Sequence, residues 1–538
     1  MKRTAALVMC ALAVAHLATL EADRVGAEAP GGQAPAPHRE LRGENALVRA
    51  YDFILEARFD QVESELRRAC DDGPGAAATG AATAAAAAPS EACDVLDATA
   101  LWWRIQLDPE GRTLDAAFTA SVERAIRAAE AWTDRSPLDP EAWFYLGGAY
   151  AARVQWRVLR NEKVAAARDG KRIKESLEQA LELDPGLDDA YFGLGMYKYY
   201  ADVAPTAAKI LRFLLLLPGG DRDEGLREML RARSRGRLLQ GEADYQLHII
   251  YLWYERQTDR ALELLRGLQQ RYPGNPLFPA QVAHIQDAYE HDVTASLDTW
   301  RALLAAAREQ RVNAAAMAEV QARLGIARML EAVHQTDHAI EHLQGIVEAK
   351  PDAPYSSLAL AFLRLGEAQD RLGARAAAIG AYRAAASAAP RDDLFDVRGQ
   401  AGDRLRRAPD PKKAEAYRLS LAGWRQLEQK DLPSASAALE RALHLNPHDP
   451  VSRYRYGRVL QARRDDAAAL AQFELALRNA SACPAPILGN AHLETARLHE
   501  RAGRRDAAIA GYRVAATLFG AAAETRSAAQ RALDRVAK

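Results

Sequence analysis

The chain has 538 residues, of which 49% are hydrophobic, 27% are charged and only 7% are aromatic, and its 71 basic and 72 acidic side chains give a net charge of -1. These proportions argue against a disordered chain, a collagen-like chain and a protein with many membrane spans, and they are typical of a soluble, alanine-rich helical protein. The balanced charge predicts no general attraction to nucleic acid, and four cysteines are too few for a disulfide scaffold.

The N-terminus has the layout of an export signal. Lys2 and Arg3 precede an apolar run from Ala5 to Val14, and the small-residue triplet that ends at Ala15 suits a signal peptidase. We assign residues 1–29 to a signal peptide and leader, and residues 30–44, which begin with a Gly, Ala and Pro-rich stretch, to a flexible spacer. Cleavage, lipidation and retention as an anchor stay open, although the apolar run is short for a span of about 20 residues. We expect an exported protein of the periplasm or cell envelope of a bacterium.

Two cysteines flank a low-complexity stretch. Residues 71–89 are mostly alanine, glycine and threonine, a composition typical of a solvent-exposed loop. In an oxidising compartment Cys70 and Cys93 would close this loop as a disulfide and stabilise the fold by about 3 kcal/mol. Two buried thiols are the alternative, and Cys483 is left over.

The strongest local charge lies between residues 153 and 174. Eight basic side chains there face only two acidic ones, Glu162 and Asp169. This basic patch consists of Arg153, Arg157, Arg160, Lys163, Arg168, Lys171, Arg172 and Lys174. It would suit an anionic partner such as an acidic peptide, lipid head groups or an acidic polysaccharide. The alternative is a helix face whose arginines pair with acids of neighbouring helices.

The apolar run Ile210–Leu217 is too short to cross a bilayer. It predicts either a contact with a membrane surface or a helix buried on all sides.

A repeating pattern fills the second half of the chain. In one segment positions 4, 7, 8, 11, 20, 24, 27 and 32 of a 34-residue unit hold Phe362, Leu365, Gly366, Gln369, Ala378, Tyr382, Ala385 and Pro390. The same register recurs in units that contain Gly423, Gly457 and Ala496, and upstream in units that end at Pro273 and Pro351. This pattern resembles the tetratricopeptide repeat. The resemblance implies an all-α fold, an α-solenoid of antiparallel helix pairs in which small residues let the helices approach closely.

The repeats are less regular towards the N-terminus. Trp143 and Gly147 fit positions 4 and 8, but the closing Pro185 arrives 14 residues late, so we expect this unit to have longer helices. The pattern is also interrupted by a 23-residue insertion, Arg391–Lys413. We therefore predict an N-terminal helical repeat region of degenerate and extended units at 45–408 and a C-terminal repeat array at 412–538.

The stretch 140–275 also resembles, as a whole, an uncharacterised set of exported bacterial repeat proteins. The resemblance rests on four motifs, which are Ala152–Arg157, Asp169–Arg172, Tyr199–Asp202 and Pro218–Arg222. This resemblance implies the repeat fold and a binding role for the chain, and it implies no enzymatic activity, because none is assigned to that set of proteins.

The inner face of such a stack provides the candidate groove. Position 9 of successive first helices holds Arg328, Glu367, Trp424, Arg458 and Arg497, with Tyr417, Tyr454 and Asn490 nearby. Arginine, aromatic and asparagine side chains can hold a peptide carboxylate and stack on peptide side chains. Ordinary polar surface is the alternative.

The sequence favours binding over catalysis. It contains no HExxH, GxSxG, GxGxxG or CxxC motif, so we predict no enzyme, no catalytic residue and no cofactor. His334, His338 and His342 have helical spacing but no further ligand nearby, and we predict no metal site. We expect a scaffold or adaptor that holds a protein or peptide partner and binds no nucleic acid. A peripheral envelope component that docks through the basic patch is the second hypothesis, and an unrecognised hydrolase or metal protein is the third.

Overall fold

The computed structural model describes residues 38–70, 87–204 and 219–537. These residues form 24 α-helices joined by turns, and none of them lies in a β-strand. The all-helical fold expected from the repeat pattern is thereby confirmed. The predicted leader, the first part of the spacer, most of the alanine-rich loop and the apolar run Ile210–Leu217 lie outside the described residues.

The chain divides into two compact units, Met1–Phe278 and Pro279–Lys538. The boundary that the sequence suggested near residue 410 therefore falls inside the second unit. The helices of the first unit are α1 (Glu44–Leu55), α2 (Phe59–Cys70), α3 (Ser90–Gln106), α4 (Asp115–Arg135), α5 (Pro140–Leu159), α6 (Lys163–Leu183), α7 (Ala190–Val203), α8 (Arg222–Arg235), α9 (Gln240–Trp253) and α10 (Thr258–Arg271).

The second unit continues the series of helix pairs. Its helices are α11 (Leu277–Ala288), which begins at the division, α12 (Val293–Arg308), α13 (Ala315–Ala332), α14 (Thr336–Ala349), α15 (Ser357–Arg371), α16 (Arg375–Ala388), α17 (Val397–Arg406), α18 (Pro411–Glu428), α19 (Leu432–Leu445), α20 (Pro450–Ala462), α21 (Asp466–Arg478), α22 (Ala485–Arg501), α23 (Arg505–Thr517) and α24 (Ala523–Ala537). Most consecutive helices within this unit pack against each other, as in α15 with α16 and α20 with α21.

Aspartate and proline together begin several helices. The side chains of Asp139, Asp410 and Asp449 accept hydrogen bonds from backbone N–H groups of the first turns of α5, α18 and α20. Proline follows each of these aspartates, where its missing N–H costs no intrahelical bond. The repeat prolines have the opposite role, because Pro390 and Pro447 each lie two residues beyond the end of a second helix.

Glycine and large side chains meet where the two helices of a repeat cross. A Cβ added to Gly366 would lie 2.6 Å from Tyr382 Cε1, and one added to Gly423 would lie 2.6 Å from Leu439 Cγ. Ala378, at position 20 of the same repeat as Gly366, is fully buried. The structure thus confirms the repeat register, in which position 8 of the first helix faces position 24 of the second.

The irregular parts of the pattern also take shape as helices. The late-closing repeat consists of α5 with 20 residues and α6 with 21, against 14 residues in α16. The insertion Arg391–Lys413 forms the helix α17 and the first residues of α18, and Val397 and Ala401 of α17 are fully buried against the α15–α16 pair. The sequence did not predict this helix, because it belongs to no repeat.

The end of the predicted spacer lies against the first unit. The guanidinium of Arg39 pairs with Asp184 at 2.9 Å, and its backbone N–H donates to the carbonyl of Gly186 at 2.9 Å. Arg42 pairs with Asp139 at 2.5 Å. These contacts hold the chain where it enters α1.

Candidate functional site

Three helices of the second unit enclose an open cleft. Helices α18, α20 and α22 are the first helices of successive pairs, so equivalent positions on them face the same side of the stack. The cleft has a volume of about 730 Å³ and is lined by Trp424, Leu427, Glu428, Arg458, Gln461, Ala462, Glu494, Arg497 and Arg501. It brings together three predicted groove residues, Trp424, Arg458 and Arg497.

Arg458 carries a positive charge into the cleft with no carboxylate partner among the described residues. Its Nη1 donates to Tyr454 Oη at 3.2 Å, and its buried Nε makes no hydrogen bond to any of those residues. Burial by itself lowers the pKa of this guanidinium, but Tyr454 and Glu494 outweigh burial, so the pKa of Arg458 lies above its ordinary value. The side chain therefore stays protonated and keeps donors for a ligand.

The neighbouring arginines on α22 are each paired once. Arg497 Nη1 donates to Glu494 at 2.7 Å, and Arg501 donates to Asp466 from Nε and Nη2, both at 2.9 Å. A guanidinium has five N–H donors, so these pairs leave further donors on both arginines. The arginine row can therefore take an additional anion without losing its internal contacts.

Aromatic packing holds Trp424 in place at the α18 end of the cleft. The Trp424 ring centroid lies 6.3 Å from that of Tyr454, and the guanidinium carbon of Arg455 lies 5.9 Å from the Trp424 ring centroid. Tyr454 is buried beneath it. Trp424 is thereby held in place with part of its ring still accessible, next to the aliphatic Leu427 and Ala462.

A second pocket adjoins the cleft between α22 and α24. It has a volume of about 580 Å³ and is lined by Arg497, Glu500, Arg501, Tyr512, Ala528, Arg531, Ala532 and Arg535. Hydrogen bonds from Tyr512 and Arg535 hold the pKa of Glu500 below its ordinary value, so this carboxylate is ionised at neutral pH. Arg531 is exposed and makes no hydrogen bond or ion pair with any other described residue.

The other predicted groove residues have partners within the chain. Glu367 forms an ion pair with Arg404 at 2.9 Å, and Arg328 forms one with Asp287 at 3.0 Å. Asn490 accepts a hydrogen bond from Thr525 at 2.7 Å. These side chains are therefore already engaged, whereas Arg458 has only a hydroxyl partner.

The turn between α13 and α14 covers part of the same inner face. Tyr417 Oη lies 2.7 Å from Thr336 Oγ1, and Arg455 Nη2 donates to the His334 carbonyl at 2.8 Å. Arg455 is only 3% exposed and makes no ion pair within the described part of the chain. The buried guanidinium of Arg455 contacts the Ser420 hydroxyl, the His334 carbonyl and the Trp424 ring. Tyr417 and Arg455 therefore both take part in a contact within the chain.

An ion pair strengthens this contact. Arg425 donates to both carboxylate oxygens of Asp337, at 2.6 and 2.7 Å. Burial alone would raise the pKa of Asp337, but the bonds from Arg425 bring it below its ordinary value. The two residues are 88 positions apart in sequence. No local pattern in the sequence signals such a contact.

The basic patch is largely engaged by acidic side chains. Arg153 and Arg157 both donate to Asp169, at 2.8 and 2.7 Å, and the Asp169 side chain is only 4% exposed. Arg160 pairs with Asp115 of α4 at 2.6 Å. On the surface of α6 the pairs join Lys171 and Arg172 to Glu175 and Lys174 to Glu178. Lys163 and Arg168 are exposed.

Cys70 and Cys93 form a disulfide with an S–S distance of 1.96 Å and a Cα–Cα distance of 6.6 Å. It joins the end of α2 to the first turns of α3. Cys483 is a free, partly buried thiol, and burial raises its pKa to about 12.

Two further properties concern membranes and metals. Within 38–70, 87–204 and 219–537, no helix combines the length and the apolar character needed to cross a bilayer. In the same ranges, no three His, Cys, Asp or Glu side chains are grouped in a way that would hold a metal ion.

Comparison with known proteins gives likenesses of low identity. No family model matches the chain, and no curated protein matches it. Among solved structures, a human IFIT1 dimer with m7Gppp-AAAA is 16% identical, with 80% of each chain covered and a TM-score of 0.32. A Rap protein complexed with competence and sporulation factor is 12% identical, with 92% of this chain and 99% of that chain covered and a TM-score of 0.30.

Proposed function

We propose that this chain is a non-enzymatic scaffold that holds a segment of a partner protein in the cleft between α18 and α22. One observation carries the proposal: Trp424, Arg458 and Arg497 line the same cleft. An aromatic ring and guanidinium groups in one groove can stack on the side chains of an extended segment and bind its carboxylates and carbonyls. Among the described residues, the lining includes no Ser, Cys or His side chain, which favours binding over covalent catalysis.

We further propose that the protein is exported to the envelope of a bacterium. The signal-like residues Met1–Leu20 support this location. The disulfide between Cys70 and Cys93 supports it as well, because disulfides persist in oxidising compartments.

The cleft is favoured over docking through the basic patch. Six of the eight basic side chains of the patch have a carboxylate partner. A surface whose charges are already paired attracts an anionic lipid or polysaccharide weakly. Arg458, in contrast, has no carboxylate partner among the described residues.

Affinity capture from the native envelope fraction tests the binding function. We expect the wild-type chain to retain a protein that is lost with Trp424→Ala and with the double variant Arg458→Gln, Arg497→Gln. Arg513→Gln is the matched control, because Arg513 is an exposed arginine of α23 outside both pockets. Equal retention of the same proteins by all four chains would contradict the proposal.

Cell fractionation with N-terminal sequencing tests the location. We expect the chain in the envelope or periplasmic fraction, with Cys70 and Cys93 protected from alkylation until a reductant is added. A cytoplasmic chain with both thiols reactive would contradict export.

A further inference from the structure

The cleft and the adjoining pocket form one arginine-rich surface, and the inference below rests on the proposed function. Arg497 and Arg501 line both cavities, so the surface runs from Trp424 on α18 across α20 and α22 to α24. Together the two linings contain five arginines and three glutamates. The arginines are Arg458, Arg497, Arg501, Arg531 and Arg535. The surface therefore has an excess of positive charge.

Two arginines without an ion-pair partner among the described residues, Arg458 on α20 and Arg531 on α24, lie on either side of α22. Within the described part of the chain, Arg458 forms a hydrogen bond only with the hydroxyl of Tyr454 and forms no ion pair, although Glu494 lies in the same cleft, and Arg531 forms neither a hydrogen bond nor an ion pair. Arg497 and Arg501 lie on the helix between them and keep further donors beyond their carboxylate pairs. An incoming anion can thus bind at several points along the surface.

The glutamates restrict what kind of anion fits. Glu428, Glu494 and Glu500 lie in the same linings as the arginines. A dense polyanion such as a nucleic acid backbone would meet these carboxylates at close range, and like charges repel strongly at partly buried sites. Single carboxylates, spaced along a flexible chain, can each reach an arginine and avoid the glutamates. The charge pattern favours an acidic peptide segment.

The α18 end of the surface carries an apolar patch beside Glu428. Trp424 and Leu427 of α18 and Ala462 of α20 are uncharged residues of the cleft lining. On this side the turn between α13 and α14 already occupies Tyr417 and Arg455. A bound segment that lies along the arginine row therefore reaches this apolar patch, and beyond the patch it reaches the turn between α13 and α14. The patch suits one large apolar side chain next to the acidic residues of the segment.

Helix spacing gives the length of the segment. The surface crosses four helices, α18, α20, α22 and α24, and neighbouring packed helices lie about 10 Å apart. The three steps span roughly 30 Å, which an extended chain covers with about nine residues at ~3.3 Å each. We propose that the cleft binds an acidic segment of about nine residues, with its carboxylates on the arginines of α20, α22 and α24 and one large apolar side chain against Trp424.

Selection from a random peptide library displayed on phage, with the full-length chain as bait, tests this specificity. We expect enriched sequences with several Asp or Glu residues and one aromatic or large aliphatic residue towards an end. A consensus without acidic residues that still requires Trp424 for binding would overturn the acidic specificity and leave the proposed function standing. If no enriched peptide is lost with Trp424→Ala or Arg458→Gln, both proposals fail.

The selected peptide then allows a direct measurement by fluorescence anisotropy. Losing a charge-assisted hydrogen bond at Arg458 or Arg531 should weaken binding by about tenfold. Arg458→Lys keeps the charge and should retain part of the affinity, whereas Arg513→Gln should bind as the wild type does. Circular dichroism and the unfolding midpoint verify that each variant is folded. Equal affinity for the Arg531→Gln variant, or tighter binding of single-stranded DNA than of the peptide, would overturn the proposal.

Discussion

Gly457 of α20 packs against the aromatic ring of Phe473 of α21. A Cβ added to Gly457 would be 2.5 Å from Phe473 Cε1, and the Phe473 side chain is fully buried. The contact joins position 8 of a first helix to position 24 of its second helix. The contact depends on the absence of a side chain at position 457.

Gly457→Ala should therefore destabilise the second unit. The added methyl group forces the ring or the helix to move, and overpacking of this kind costs about 1–3 kcal/mol. Gly380→Ala is the matched control, because Gly380 is also inside a helix but has no neighbour within 4 Å of an added Cβ. We expect the control to gain roughly 0.5–1 kcal/mol through helix propensity. Urea unfolding of both variants checks the prediction, and similar changes in the two would show that the close contact is unimportant.

Acidification should destabilise the second unit through His334. Burial, aided by Arg371 and Arg455 and opposed by Asp449, lowers the pKa of His334 from 6.5 to about 4. The neighbouring Tyr417 ring adds no charge at these pH values. As the pH falls, His334 is protonated in the unfolded chain at a higher pH than in the folded chain. The stability that depends on neutral His334 is therefore complete above its unfolded pKa and is lost as the pH falls from 6.5 towards 4.

The variant His334→Asn isolates this effect. Asparagine tolerates the left-handed backbone that His334 adopts, with φ at 59°. We expect the unfolding free energy of the wild type to fall more steeply between pH 7.5 and pH 5 than that of the variant. Parallel curves would assign the pH dependence to other groups.

Arg153→Gln should weaken the first unit. Arg153 and Arg157 share the buried Asp169, and removal of one guanidinium leaves this carboxylate with fewer charged donors. Loss of a hydrogen bond to a charged group costs about 2 kcal/mol. Arg168→Gln removes an exposed charge from the same patch and should change stability by about 0.5 kcal/mol or less. If thermal unfolding shows equal effects, the pairing of Arg153 with Asp169 contributes nothing.

Replacement of both disulfide cysteines by serine should also destabilise the first unit. The disulfide closes a loop of 23 residues, and its loss releases chain entropy in the unfolded state worth about 3 kcal/mol. Denaturant unfolding of the Cys70→Ser, Cys93→Ser variant measures the change. Addition of a reductant should lower the stability of the wild type and leave the variant as it is.

Much of the fold follows from local sequence. Gly366 with Tyr382, and Pro390 beyond α16, belong to one 34-residue pattern, and their contacts lie within one helix pair. Residues this close in sequence meet because the periodicity of a helix and the length of a turn bring them together. The helix α17 was missed, since it occurs once and repeats nothing.

The candidate site was predicted only in part. Trp424, Arg458 and Arg497 follow from their shared repeat position, and they do line one cleft. Arg531 was missed, although it lies 34 residues after Arg497 and so holds the same repeat position, because α24 follows the last recognised pair, α22 with α23, and was not counted among the first helices.

The sequence by itself determined the helices of the repeats, their pairing within a repeat and the residues at their crossing points, because these depend on periodicity within a repeat. Only the tertiary structure decided which charged side chains have partners within the chain. Arg455 reaches the His334 carbonyl across 121 positions, and Arg160 finds Asp115 on α4. Such contacts arise from small rotations that accumulate between successive helix pairs, and no residue pattern within one repeat encodes their sum.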